Sequence, residues 1–203
     1  MTVIRPLHIA SKYYKSFISI KMDHYKKVDV ENIKTLITQD ELHRGFLEIP
    51  FLEKQTNKTL CIIGRNPSVG NTKKADRTLQ YLEEYVCNHN QLQQFKQILM
   101  LNLYSRIDTV NQFKENLNNK ECEDYLIKAI KTHTDFLIVW GKLDNIKPYY
   151  FLRRAQEIRN ILQDKNAFKL DIGSTYAPHP RNKKINTSKF DIGIVRYKFE
   201  DLD

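Results

Sequence analysis

The chain has 203 residues and is poor in cysteine, glycine and proline, with 3, 6 and 6 of each. Cys61, Cys87 and Cys122 form no CxxC pair, so the spacing of a zinc site is missing. They are also fewer than a standard iron–sulfur cluster takes. They read as three reduced thiols, each partly buried, and a cytoplasmic location is expected. So few glycines and prolines leave little room for linkers or repeats. No apolar run is long enough to span a membrane, and the first residues lack the apolar core of a signal peptide. Neither a membrane partner nor export is expected.

What is present is a globule with a charge bias. Hydrophobic residues make up 41% and aromatics 11%, which argues against intrinsic disorder. The length suits one domain. Lys and Arg number 33 against 24 Asp and Glu, a net charge of +9. Such a chain is drawn to polyanions, of which nucleic acid is the commonest, although solubility alone also accounts for the balance.

The single domain, 1–203, divides into a basic-aromatic, helical lead-in over 1–45, a core over 46–185 and a tail over 186–203. Within the lead-in, Ser11 to Lys27 interleaves lysines with Tyr13, Tyr14, Phe17, Ile18 and Tyr25. Such a segment can touch phosphates and bases. It is read here as an amphipathic stretch packed on the core with its lysines outward. Asp29 or Asn32 could cap a short helix through Ile33, Leu36 and Ile37. The core alternates strand-like runs (Thr59–Ile63, Ile98–Leu103, Phe136–Trp140, Phe168–Ile172) with helical patterns. The helices are expected over Ala75–Val86, over Glu121–Lys131, and from Pro148 through Leu162. This order predicts an α/β three-layer sandwich around a central, mainly parallel four-stranded sheet. Ligands of such sheets bind beyond the carboxyl ends of the strands.

The strand ends are where the chemistry should be. After the first comes Gly64-Arg65-Asn66-Pro67-Ser68-Val69-Gly70, a glycine-bearing loop whose backbone could approach a base or phosphate. It lacks the lysine and spacing of a P-loop. A tight Asn-Pro turn is its plain structural reading. The second strand ends in Asn102-Leu103-Tyr104-Ser105-Arg106. Asn102 is an amide inside an apolar run. Either backbone neighbours satisfy it, or it offers donor and acceptor to a nucleobase edge. The third ends in Trp140-Gly141-Lys142, with core packing the default for Trp140. After the fourth, His179 stands between Pro178 and Pro180 on a stiff loop, a good place for acid–base or electrostatic work. Arg181, Lys183, Lys184 and Lys189 follow it.

Taken in order, strand–GRNPS, ILMLNLYSR, DFLIVWGK and APHPR resemble the uracil-DNA glycosylase superfamily, over about Thr59 to Arg181. That family has a G-[QI]-[DN]-P loop, an L-L-L-N strand, an F-L-L-W-G strand and a late H-P-S loop. The set Asn-Pro-Ser, Asp76-x-Thr78, Asn-Leu-Tyr, Trp-Gly and Pro-His-Pro also looks like an uncharacterised bacterial domain family. The glycosylase resemblance implies that fold and a DNA-binding protein that flips a damaged or modified base and hydrolyses its N-glycosidic bond. It implies no metal or organic cofactor. Asn66 falls where the family positions the attacking water, and Asn in place of Asp resembles the mismatch-type branch. His179 falls where the departing base anion is stabilised. Asn102 would read the base, with Tyr104, Gly64 and Ser68 beside it. Arg65, Lys73, Lys74, Arg106, Lys142, Arg181, Lys183 and Lys184 would hold the DNA.

Two departures bear on the activity. His179-Pro180 is followed by Arg181-Asn182 rather than Ser-Pro-Leu, so the duplex-opening wedge is altered or absent. Ser68 stands where the strictest uracil enzymes have the Tyr that excludes thymine. Two other readings therefore stay open: a non-catalytic nucleic-acid or nucleotide-binding module on the same fold, and an N-glycosidase of free nucleosides or nucleotides.

Overall fold

A computed structural model describes residues 22–54, 56–107, 116–144, 150–188 and 191–202. Residues 1–21 of the lead-in, with Pro148, Tyr149 and Lys189, lie outside the described residues. The strands are β1 (Lys34–Ile37), β2 (Arg44–Pro50), β3 (Lys58–Gly64), β4 (Phe95–Asn102), β5 (Asp135–Ile138), β6 (Asn166–Leu170) and β7 (Ile194–Arg196). The helices are α1 (Arg77–Asn88), α2 (Lys120–Thr132), α3 (Phe151–Leu162) and α4 (Lys183–Ser188).

The protein is α/β, but the sheet is larger and more mixed than the four parallel strands expected. Seven strands run in the order β1-β2-β4-β3-β5-β6-β7. The pairs β3/β4, β3/β5 and β5/β6 are parallel. The outer pairs β1/β2, β2/β4 and β6/β7 are antiparallel. The expected short helix through Leu36 and Ile37 is absent. A single 3-10 turn at Val30–Asn32 leads into β1. Ile33, Leu36 and Ile37 fit a helical period, but pairing with β2 satisfies the backbone of this segment instead.

Lead-in and tail both belong to this sheet. β1 comes from the former, and the 45/46 boundary falls inside β2. From the tail, β7 pairs with β6, while Tyr197, Phe199 and Leu202 are buried.

β3 is central because residues Leu60 to Ile63 are apolar on both faces. Leu60 and Ile62 join α1 residues Leu79, Leu82, Tyr85 and Val86 in one cluster. Cys61 and Ile63 join Leu126 and Ile130 of α2 and Ile158 and Leu162 of α3 in the other. Truncating any of these leucines or isoleucines to alanine leaves a cavity costing roughly 2–5 kcal/mol.

α1 starts where Asp76 caps it: the carboxylate oxygen Oδ1 accepts from the N–H groups of Thr78 and Leu79 at 2.8 and 2.9 Å. Asn119 caps α2 through the N–H of Cys122. α3 begins at Phe151, after Tyr150 at φ 43°. All three thiols are buried and unbridged, and burial pushes that of Cys122 up to about 11.

Candidate functional site

Chain order and sheet order together place the crevice. From β3 the chain moves outward to β4, and from β5 it moves the opposite way to β6. The reversal lies between β3 and β5, and ligands of open α/β sheets bind at such a point. The loops leaving β3, β4, β5 and β6 meet there. Leu103 and Tyr104 donate their N–H groups to the carbonyls of Gly64 and Arg65, at 3.0 and 3.1 Å. Gly141 donates to Ala177 O at 2.9 Å.

Gly64 and Asn102 are register partners at the ends of β3 and β4. A Cβ on Gly64 would stand 2.8 Å from Asn102 Oδ1, so the glycine leaves the room the amide occupies. Asn102 is only 9% exposed, and its amide is not among the fully buried polar atoms left without a partner. Asn66 and Ser68 are half-buried in the loop between Gly64 and Gly70. Tyr104 is buried edge-on against Phe151, with ring centroids 5.4 Å apart.

His179 lies against the β5 loop. Gly141 has φ +80°, and a Cβ there would be 3.4 Å from His179 Cβ. The N–H of Arg181 donates to His179 Nδ1 at 3.1 Å. That nitrogen is therefore the unprotonated one, and Nε2 carries the hydrogen. Burial, then the charges of Arg65 and Arg181, pull the pKa of His179 down to about 4 against a smaller opposing effect of Asp76. The imidazole is thus neutral at physiological pH and presents a donor at Nε2.

The eight expected DNA-contacting cations are not alike. Arg65 faces inward. Its Nε donates to Trp140 O at 3.2 Å, its Nη2 to Lys142 O, and its guanidinium lies 4.3 Å over the Phe151 ring. It holds the β3 and β5 loops together. Lys74 pairs with Asp23. Arg106 is half-buried, bridging to His43. Lys73, Lys142, Arg181, Lys183 and Lys184 are exposed.

Two residues here were not among the expected site residues. Arg44, the first residue of β2, is 6% exposed, and its Nη1 donates to Gly70 O. Asp76, which the sequence offered within the Asp76-x-Thr78 motif and without a site role, is 4% exposed, and its Oδ2 has no partner among the described residues.

A separate groove of about 280 Å³ lies beside the amino end of β6, lined by Arg159, Lys165, Arg196 and Lys198 among others, and shares no residue with the crevice. Among the described residues there is no group of three or more His, Cys, Asp or Glu suited to a metal. Nor is any described helix long and apolar enough to cross a membrane.

These features define an α/β protein with polar side chains gathered at the carboxyl edge of its sheet, where ligands of such sheets bind. Residues 42–181 match the family described as "Protein of unknown function (DUF1643)", and the chain belongs to that family. The match begins before β2, so it takes in Arg44 as well as Asn66, Asp76, Asn102 and His179. No curated protein and no solved structure matches the chain.

Proposed function

We propose that this protein is a DNA glycosylase-like hydrolase of the uracil-DNA glycosylase fold, which flips a damaged or modified base into the carboxyl-edge crevice and cleaves its N-glycosidic bond. The observation that carries this reading is His179. Its Nδ1 accepts from the Arg181 N–H, so a neutral imidazole offers Nε2–H at the crevice. As the bond breaks, positive charge grows on the sugar and negative charge on the base. A preorganised donor aimed at the base oxygen stabilises that charge as it develops. The amide of Asn102, at the end of β4 beside Gly64, suits the edge of a flipped base. The Asn66 amide orients water toward the sugar carbon without removing its proton. Lys73, Lys142, Arg181, Lys183 and Lys184 contact the phosphates, so affinity falls steeply with salt.

The test is incubation with oligonucleotides carrying uracil, mismatched or modified bases, followed by alkaline cleavage at abasic sites. Excision that is lost in His179→Ala supports the reading. No abasic sites from any substrate refutes catalysis. One feature favours a second reading, a non-catalytic nucleic-acid or nucleotide-binding module: the water-positioning place holds Asn66, which is not a base. Salt-dependent DNA binding without abasic sites would select it.

A further inference from the structure

Arg44 is the group in the crevice that the preceding reading does not use. Arginine is rarely buried without a partner of opposite charge. Yet no ion pair of Arg44 is present among the described residues. Gly70 O is its one side-chain acceptor there, and Nε has none. Burial pulls its pKa down to about 10, only partly opposed by Asp76. The cation is held in place at a cost that no protein group offsets in full.

Its placement follows from a break in strand register. Leu36 pairs with Phe46 and Ile37 with Arg44, so Gly45 is left unopposed as a bulge. A Cβ on Gly45 would lie 3.3 Å from Cys122 Cα, on the α2 side, and Phe46 stacks on Tyr125 of α2. The extra residue turns Arg44 to the other face, where its side chain reaches Gly70 ahead of α1. Asn102 shares that face, two residues after Met100 and four after Ile98, both in the α1-side cluster. Asp76 stands across Gly70, its Oδ2 3.4 Å from where a Gly70 Cβ would be.

We propose that Arg44 makes the α1 side of the crevice a subsite for a heterocyclic base in its anionic form, so that the protein selects acidic bases over neutral ones. The inference rests on the base-binding reading above and adds Arg44 as its specificity-determining residue. The charged and titratable groups nearby come from four segments: Arg44 with His43 beside it, Arg65 after β3, Asp76 at α1, and His179 with Arg181 after β6. Burial and Arg106 lower the pKa of His43, and His179 is neutral. Arg65 is committed to the β3 and β5 loops, which leaves Arg44 and Arg181 against the one carboxylate of Asp76. That excess favours an anion. The buried carboxylate of Asp76 disfavours a multiply charged one such as phosphate. A base that has lost its ring N–H carries one delocalised negative charge on its oxygens. Arg44 then makes a charge-assisted hydrogen bond, roughly twice as strong as a neutral one.

The test is calorimetric titration of the protein with uracil and with 5-nitrouracil, whose nitro group acidifies the ring N–H. At pH 8, 5-nitrouracil should bind about tenfold or more tighter. The preference should vanish once the pH is below the pKa of 5-nitrouracil itself. Arg44→Met should abolish it and Arg44→Lys should keep part of it. Should Arg44→Met not fold, the wild-type pH series and competition by inorganic phosphate decide. Equal affinity for the two bases at pH 8, binding of neither, or phosphate competing as strongly as 5-nitrouracil would each overturn the proposal. Excision is scored separately on DNA: excision of uracil and 5-nitrouracil at equal rates would leave the glycosylase reading standing while this inference falls.

Discussion

Replacing Glu83 should destabilise the protein and also reverse the pH dependence of its stability. His24 and Glu83 form a buried pair, with side chains 1% and 0% exposed and Nδ1 2.6 Å from Oε1. Nε2 of His24 faces the carbonyl of Asn71 at 2.9 Å, so both ring nitrogens meet acceptors and the doubly protonated ring fits. The N–H of Tyr25 donates to Oε2 at 2.8 Å. Burial opposes the charge, but the hydrogen bond and charge of Glu83, with Asn71 O and Asp23, outweigh it, and the pKa of His24 is raised. A raised folded pKa gives stability that is complete below the unfolded value of about 6.5 and is lost as pH rises through the folded value.

Glu83→Ala removes the counter-charge and orphans the Tyr25 N–H. Breaking such a buried pair costs about 3–5 kcal/mol. At 2–4 °C per kcal/mol for a chain of this size, Tm should fall by roughly 6–20 °C. Glu83→Gln can still serve both neighbours: its Oε1 accepts from Tyr25, and its amide donates to a neutral His24. It should cost less, and its stability should rise with pH between about 5 and 7, because the buried ring must then stay neutral. The assay is thermal unfolding followed by circular dichroism from pH 5 to 8.5. A wild-type Tm that does not fall relative to Glu83→Gln above about pH 6.5 would refute the charged pair. So would a loss below about 1 kcal/mol in Glu83→Ala.

Three further outcomes follow from the crevice. Gly64→Ala places a methyl carbon 2.8 Å from Asn102 Oδ1, and the amide end can swing aside. Tm should change little, while base affinity measured by calorimetry drops by about tenfold, the worth of one hydrogen bond. Gly141→Ala forces a side chain into φ +80° and against His179; it should cost about 1–2 kcal/mol in denaturant unfolding. His179, with its pKa lowered to about 4, loses no protonation between pH 6 and 9. Any excision rate should therefore show no inflection attributable to His179 above pH 6, and wild-type stability should decline as pH falls from about 6.5 toward 4, less so in His179→Ala.

The inner strands were readable from the chain because burial on both faces writes a continuous apolar run, as in TLCII and ILMLNL. Asp76 and Leu79, Leu82 and Val86 likewise announced α1, since capping and a period of 3.6 are local properties. The outer strands were not readable. Residues 34–37 fit a helix as well as a strand, and only the partner strand β2 decides between them. The same limit governs the site. Gly64, Asn66, Asn102 and His179 stood out because the rule for strand ends needs only chain order. Two things depended on contacts between segments far apart in sequence: the inward use of Arg65 against Trp140 and Lys142, and the buried pair of His24 with Glu83. The bulge at Gly45, which turns Arg44 toward Gly70, exists only once β1 and β2 pair. The sequence by itself determined which side chains stand at the carboxyl edge. Only the tertiary structure decided which charges there are spent on the protein and which remain for a ligand, because burial and partnership belong to pairs of distant residues rather than to any one stretch of chain.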